Sequence, residues 1–113
     1  MRWAWHEFFK SYDLLLCPLI PTPAIRHEHT KPTYERTLTI NGKPYPFSAS
    51  LFWAGMVGLP YLPATAAPSG FSRDGLPLGI QIVGPHYHDR TTIHFAKLME
   101  AEYQGYVPPP GYE

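Results

Sequence analysis

Gly75-Leu76-Pro77-Leu78-Gly79-Ile80-Gln81-Ile82-Val83-Gly84-Pro85 is the stretch that decides how this chain folds. Leu78 to Val83 reads as a strand, with Ile80 and Val83 strongly β-favouring. Pro77 and Pro85 stand at its ends, where a residue without an N–H removes no ladder hydrogen bond. Gly75, Gly79 and Gly84 punctuate it at points where a side chain would obstruct close backbone approach. Together these features predict a strand entering and leaving a crowded sheet.

Upstream, Tyr61 to Ala67 is another strand candidate, joined to the first through the turn-rich Pro68-Ser69-Gly70 and Arg73-Asp74-Gly75. Phe47 to Val57 carries Phe47, Leu51, Phe52, Trp53 and Val57 in a helical rhythm, stopped by Gly58 and Pro60. From Pro21 to Pro46 the chain is polar and proline-rich; Asn41-Gly42 is a strong turn signal, with a small hairpin around Leu38-Thr39-Ile40. Nearer the start, Trp5, Phe8, Phe9 and Tyr12 fall at i, i+3, i+4 and i+7, one aromatic stripe of a docking helix. Asp13 breaks that pattern. Leu14-Leu15-Leu16-Cys17 then runs apolar into Pro18, the form of a strand covered on both faces. Downstream, Asp89 caps a last helix through Ile93, Phe95, Ala96, Met99 and Tyr103, which Pro108-Pro109-Pro110 cannot continue.

The order helix, strand, helix, strand, strand, helix predicts an α/β fold, a partial mixed sheet with flanking helices. Residues 1–113 form one partial domain ending in a Pro-rich tail over 104–113. About three strands are too few for one to be buried on both sides, so the sheet is expected to continue elsewhere. The alternative is a small self-contained α+β domain whose helices cover the sheet alone.

Composition narrows the function classes. Hydrophobic residues make up 44% and charged residues 16%, a globular balance, while 14 prolines and 9 glycines predict short elements joined by long ordered loops. Nine basic residues offset nine acidic ones with no Lys/Arg run, which argues against a nucleic-acid partner. The longest apolar run, Leu14 to Ile20, falls far short of the roughly 18 residues of a membrane span, and the start has no signal-peptide core. A single cysteine, Cys17, allows no internal disulfide and makes the cytoplasm the expected compartment.

His27-Glu28-His29 and His86-Tyr87-His88-Asp89 are two His-x-His pairs able in principle to supply imidazole and carboxylate ligands to zinc. Both lie in predicted loops and nothing fixes their separation, so surface histidines are the preferred reading and no metal or cofactor is expected. Cys17 and His6 raise the question of a thiol nucleophile, but the apolar run around Cys17 makes it a core residue. Asp13, Asp74 and Asp89 occupy turn or cap positions.

Three blocks resemble the C-terminal part of the amidase signature family. Trp5 to Pro18 is similar to the family's aromatic helix leading into a "YDLLLxP" strand. Gly58-Leu59-Pro60 followed by Ala64-Thr65-Ala66-Ala67-Pro68-Ser69-Gly70 resembles "GLPAxxxPxG", and Gly75 to Pro85 with the aspartate and helix beyond it resembles "GLPxGIQIVGP". The resemblance spans about Trp5 to Leu98. It implies hydrolysis of carbon–nitrogen amide bonds by a Ser-Ser-Lys triad, in which a lysine acts through a second serine held in a cis peptide and a glycine-rich loop stabilises the oxyanion. Those residues lie upstream of the matched region in the family. None of Ser11, Ser48, Ser50, Ser69 and Ser72, nor Lys10, Lys31, Lys43 and Lys97, sits in the matching context, so no catalytic residue is expected here. By the same resemblance Phe52 and Trp53 line the substrate funnel and bind substrate; as residues at helical spacing they equally fit core packing. Gly55 stands where the family often has asparagine, which leaves the amide substrate unspecified.

The chain is thus expected to be a C-terminal amidase fragment, inactive alone, or a non-catalytic interaction module completing another chain's sheet. Its partners would be a second copy in a homo-oligomer or the missing N-terminal amidase portion, with a small amide substrate bound only in the complete enzyme.

Overall fold

A computed structural model describes residues 1–112. The chain runs α1 (Arg2–Phe8), β1 (Leu15–Pro18), a 3-10 turn (Thr33–Glu35), β2 (Thr37–Ile40), β3 (Lys43–Pro46), a second 3-10 turn (Phe47–Leu51), α2 (Phe52–Gly58), β4 (Ala64–Phe71), β5 (Pro77–Val83) and α3 (Asp89–Glu102). The α/β order expected from the sequence holds. β1, β5 and β4 form one sheet in that spatial order with β5 in the middle, and both pairings are antiparallel. β2 and β3 make a separate hairpin. Asn41 at φ 50° and Gly42 at φ 76° close it as a two-residue turn, the left-handed geometry that favours Asn-Gly.

β5 is the best-buried strand because it has a neighbour on each side. Ile82 and Val83 are 0% exposed, and each such side chain contributes about 2 kcal/mol of burial. Val83 joins Cys17 of β1 and Val57 of α2 in the central cluster, against which Phe9, Leu15, Trp53, Met56 and Leu62 pack. From the other direction α3 lies mainly on β4. Its sheet-facing residues are Thr92, Phe95, Ala96 and Met99, spaced i, i+3, i+4, i+7. Thr92 is 1% exposed and its hydroxyl is satisfied twice, accepting from Thr65 Oγ1 at 2.8 Å and donating to the Asp89 carbonyl at 2.8 Å. Ile93, which the sequence pattern places on the buried stripe, points outward.

Several local expectations change. β1 is an edge strand in this chain rather than one buried on both faces: Cys17 is buried, but Leu16 is 46% exposed because no element covers that side. β4 begins three residues later than expected and continues through Pro68-Ser69-Gly70, which is not a turn. A register shift between Pro68 and Gly70 leaves Ser69 as a bulge, and Gly70 takes φ 114° to return to register. The true turn follows. Ser72 N–H donates to Leu76 O at 2.8 Å and Gly75, at φ 76°, donates to Ser72 O at 3.0 Å. Gly75 therefore serves conformation, since a Cβ there would meet nothing, whereas at Gly79 and Gly84 a Cβ would collide with Leu19 Cδ1 and Thr92 Cγ2, at 2.6 Å and 2.8 Å. Asp89 is the first residue of α3, not its cap. The cap is His88 without a side-chain hydrogen bond, and Asp89 instead places its charge at the favourable end of the helix dipole.

Candidate functional site

The helix carrying Phe52 and Trp53 is in two pieces. Phe47–Leu51 is 3-10, where Ser50 Oγ donates to Phe47 O at 2.8 Å, a local side-chain bond that competes with regular helix. Phe52–Gly58 is α-helical. It ends in a paired closure: Leu62 N–H donates to Val57 O at 3.1 Å and Tyr61 N–H to Gly58 O at 3.2 Å, with Tyr61 itself left-handed at φ 60°. That closure turns the chain into β4 and fixes the face α2 shows to the sheet.

Adjacent residues then have opposite fates. Trp53 packs on the Cys17, Val57 and Val83 cluster, and its carbonyl accepts from Gln81 Nε2 of the central strand at 3.4 Å. Phe52 is 64% exposed and meets Trp53 edge-on at 5.1 Å between ring centroids. It lines an open apolar depression of about 540 Å³ together with Leu51, Gly55, Met56 and Leu59. This volume suits a small ligand. Nothing lies within 4 Å of a Cβ built on Gly55, so the depression is wider there than an asparagine would leave it. Because this glycine sits in a helix with free space beside it, Gly55→Ala is expected to stabilise the fold by about 0.5–1 kcal/mol; thermal melts of the two proteins check this.

The remaining reactive side chains have structural surroundings. Cys17 is buried, with Gln81 Nε2 donating to its sulfur at 3.3 Å. Ser72 Oγ accepts from Leu76 N–H at 3.1 Å within the turn, and Lys10 Nζ is paired with Glu7 at 2.7 Å on the surface. His27 and His29 meet ring edge to face at 5.6 Å, and Thr30 hydrogen bonds from side chain and backbone hold the Glu28 carboxyl below its ordinary range. Among the described residues no three His, Cys, Asp or Glu side chains are grouped to hold a metal, so the two His-x-His pairs are not brought to one site.

A larger concavity, about 780 Å³, lies between α1 and the loops at 60–62 and 85–88. The sequence does not reveal it, because its residues come from segments up to 86 positions apart, from Arg2 to His88, and share no local motif.

Comparison with known proteins matches this architecture. The Amidase family model matches residues 1–93. A glutamyl-tRNA(Gln) amidotransferase subunit of Streptococcus equi subsp. zooepidemicus is 34% identical over 95 residues, covering 84% of this chain and 17% of the relative. The mitochondrial counterpart of that subunit in Ixodes scapularis is 36% identical over the same length and coverage. Among solved structures, the glutamyl-tRNA(Gln) amidotransferase subunit of Thermotoga maritima superposes with a TM-score of 0.72 at 25% identity, covering 99% of this chain and 23% of that one. A chain of a vestigial complex bearing on the origins of an s-triazine catabolic enzyme gives 0.78 at 22% identity, covering 96% and 23%, a likeness of fold. The chain therefore spans about a sixth of the length of the curated relatives it matches. With the family model matching more than three-quarters of its residues, this chain belongs to the amidase family.

Proposed function

We propose that this chain is the C-terminal segment of an amidase-like hydrolase, a single partial domain with a Pro-rich tail over 104–113, which supplies scaffold and one wall of a substrate funnel at Phe52 and Trp53. The observation that carries it is the mismatch of lengths: the alignment covers 84% of this chain but 17% of the relative. The nucleophile, its lysine base and the oxyanion donors belong to the part that these residues do not match. In the complete protein a serine would attack a small amide after passing its proton through a second serine to lysine; the C–N bond would break as that proton returns to the departing amine, and water would then cleave the acyl ester to the acid and free serine. Phe52, at the rim of its depression, would meet the apolar part of that amide, while Trp53 would fix the wall from behind.

The surface supports an incomplete unit. The chain exposes 8796 Å², against about 6,300 Å² for a compact monomer of this length. Its radius of gyration is 16.1 Å, against about 13 Å. The exposed side chains include the large apolar ones of Leu16, Leu51, Phe52 and Leu59. The partner that fits is the N-terminal amidase portion. On this reading the purified chain gives no turnover of benzamide or other simple amides; hydrolysis that disappears when one of its own five serines is replaced by alanine overturns it.

A second reading has one observation in its favour, the uncovered edge of β1 with Leu16 exposed. As a non-catalytic module the chain would complete a sheet with another chain, a second copy included. Sedimentation across a hundredfold concentration range tests it, and a strict monomer throughout removes the homo-oligomer.

A further inference from the structure

The concavity between α1 and the 60–62 and 85–88 loops shares no lining residue with the depression at Phe52. One part of its wall is aromatic and aliphatic, formed by Trp3, Trp5, Phe9, Pro60 and Leu62. The other part carries nitrogen groups: Arg2, the imidazoles of His6, His86 and His88, and Lys10, whose ammonium is already paired with Glu7 at 2.7 Å.

Arg2 is held in place. Its guanidinium lies 4.5 Å from the centre of the Tyr61 ring, which orients the planar fork without using its hydrogen-bond donors. Arg2, Leu62 and His86 also line an adjoining hollow with Tyr61, Tyr87 and the acidic Asp89. Those two tyrosines are left-handed, at φ 60° and 67°. Both have local backbone causes: Tyr61 closes α2, and Tyr87 lies in the turn in which His88 N–H donates to Pro85 O at 2.9 Å. Tyr61 lies beneath the Arg2 guanidinium, and Tyr87 packs its ring 4.0 Å from that of His86, which places both tyrosines beside the groove.

We propose that this groove binds an aromatic carboxylate. The ring would lie against Trp5, Phe9 and Leu62, displacing water from apolar surface, and the carboxylate would take two parallel N–H bonds from Arg2. The imidazoles offer single hydrogen bonds at most, and Lys10 is engaged by Glu7, so Arg2 is the one fork available among the described lining residues. The volume accommodates a bicyclic ring with room to spare.

The test titrates the full chain with 2-naphthoate, read by tryptophan fluorescence and by calorimetry, beside 2-naphthamide, which keeps the ring and loses the charge. Saturable 2-naphthoate binding at ~1 mM or tighter is expected, with the amide at least ~10-fold weaker. Arg2 is exposed at the start of α1, so Arg2→Gln leaves the fold intact by circular dichroism while weakening 2-naphthoate at least ~10-fold. Lys97→Gln, outside the groove, leaves binding unchanged. No saturable binding by several millimolar, equal affinity for acid and amide, or an Arg2→Gln protein that binds as before each overturns the proposal.

Discussion

Replacing Gly84 by valine is expected to cost about 3 kcal/mol of unfolding free energy, a large loss for a change that adds neither charge nor polarity. The first added carbon would sit 2.8 Å from Thr92 Cγ2, with His88 O at 3.6 Å and Leu14 Cδ2 at 3.7 Å. Thr92 cannot yield, since it is fully enclosed and its hydroxyl is tied to both Thr65 and Asp89. Relief would require α3 to lift from the sheet. Gly79→Ala is the control. Its new carbon comes closer still, 2.6 Å from Leu19 Cδ1, but that atom is the free end of a half-buried side chain and can rotate away. The cost there stays within about 1 kcal/mol, offset in part by the entropy glycine loses on folding. Urea midpoints of the two variants at unchanged slope decide the matter; equal midpoints would show that side-chain freedom is not what separates them.

Trp53→Ala and Phe52→Ala are expected to separate as sharply. Trp53 supports the central cluster, so its loss opens a void beneath α2 and costs about 2–3 kcal/mol, somewhat under the range for fully buried tryptophans. Phe52 is mostly solvent-facing, and its removal costs about 0.5 kcal/mol or less. In a complete amidase the same division would show as function against stability. Phe52→Ala should raise KM for apolar amides with the fold intact, whereas Trp53→Ala should lower the melting temperature first. A Phe52→Ala protein that melts as early as Trp53→Ala would place Phe52 in the core and remove it from the funnel.

Much of this fold is legible in the sequence because it is local. Asn41-Gly42 dictates its own hairpin turn, the Gly75 to Pro85 stretch contains the central strand, and Asp89 marks the start of α3 within one residue. What escapes the sequence depends on distant partners. Leu14 to Cys17 is apolar enough for two buried faces, yet only the face toward α2 is covered, and no local pattern reveals which neighbours are present. Pro68-Ser69-Gly70 has the composition of a turn, but pairing with β5 draws it into the strand at the expense of one bulged residue. Thr92 is hidden because it is polar; its burial is tolerable because its hydroxyl accepts from Thr65, 27 residues away, and donates to the Asp89 carbonyl. At the candidate site the sequence points to both aromatics and leaves open whether they pack or face a pocket. The structure divides the pair: one residue packs on the core and its neighbour faces the depression.

The bulge at Ser69 bears on how copies of this chain can aggregate. A fibre that grows by sheet extension needs two straight, open edges per molecule, one to receive and one to offer. β4 is the longer free edge, but the bulge twists it, Gly70 bends it at φ 114°, and Pro68 has no N–H to donate. The opposite edge, β1, stays straight for four residues and ends in Pro18. With one edge of this sheet blunted, pairing through β1 consumes the straight edge on both molecules, so extension of the three-stranded sheet by that route stops at a two-fold dimer.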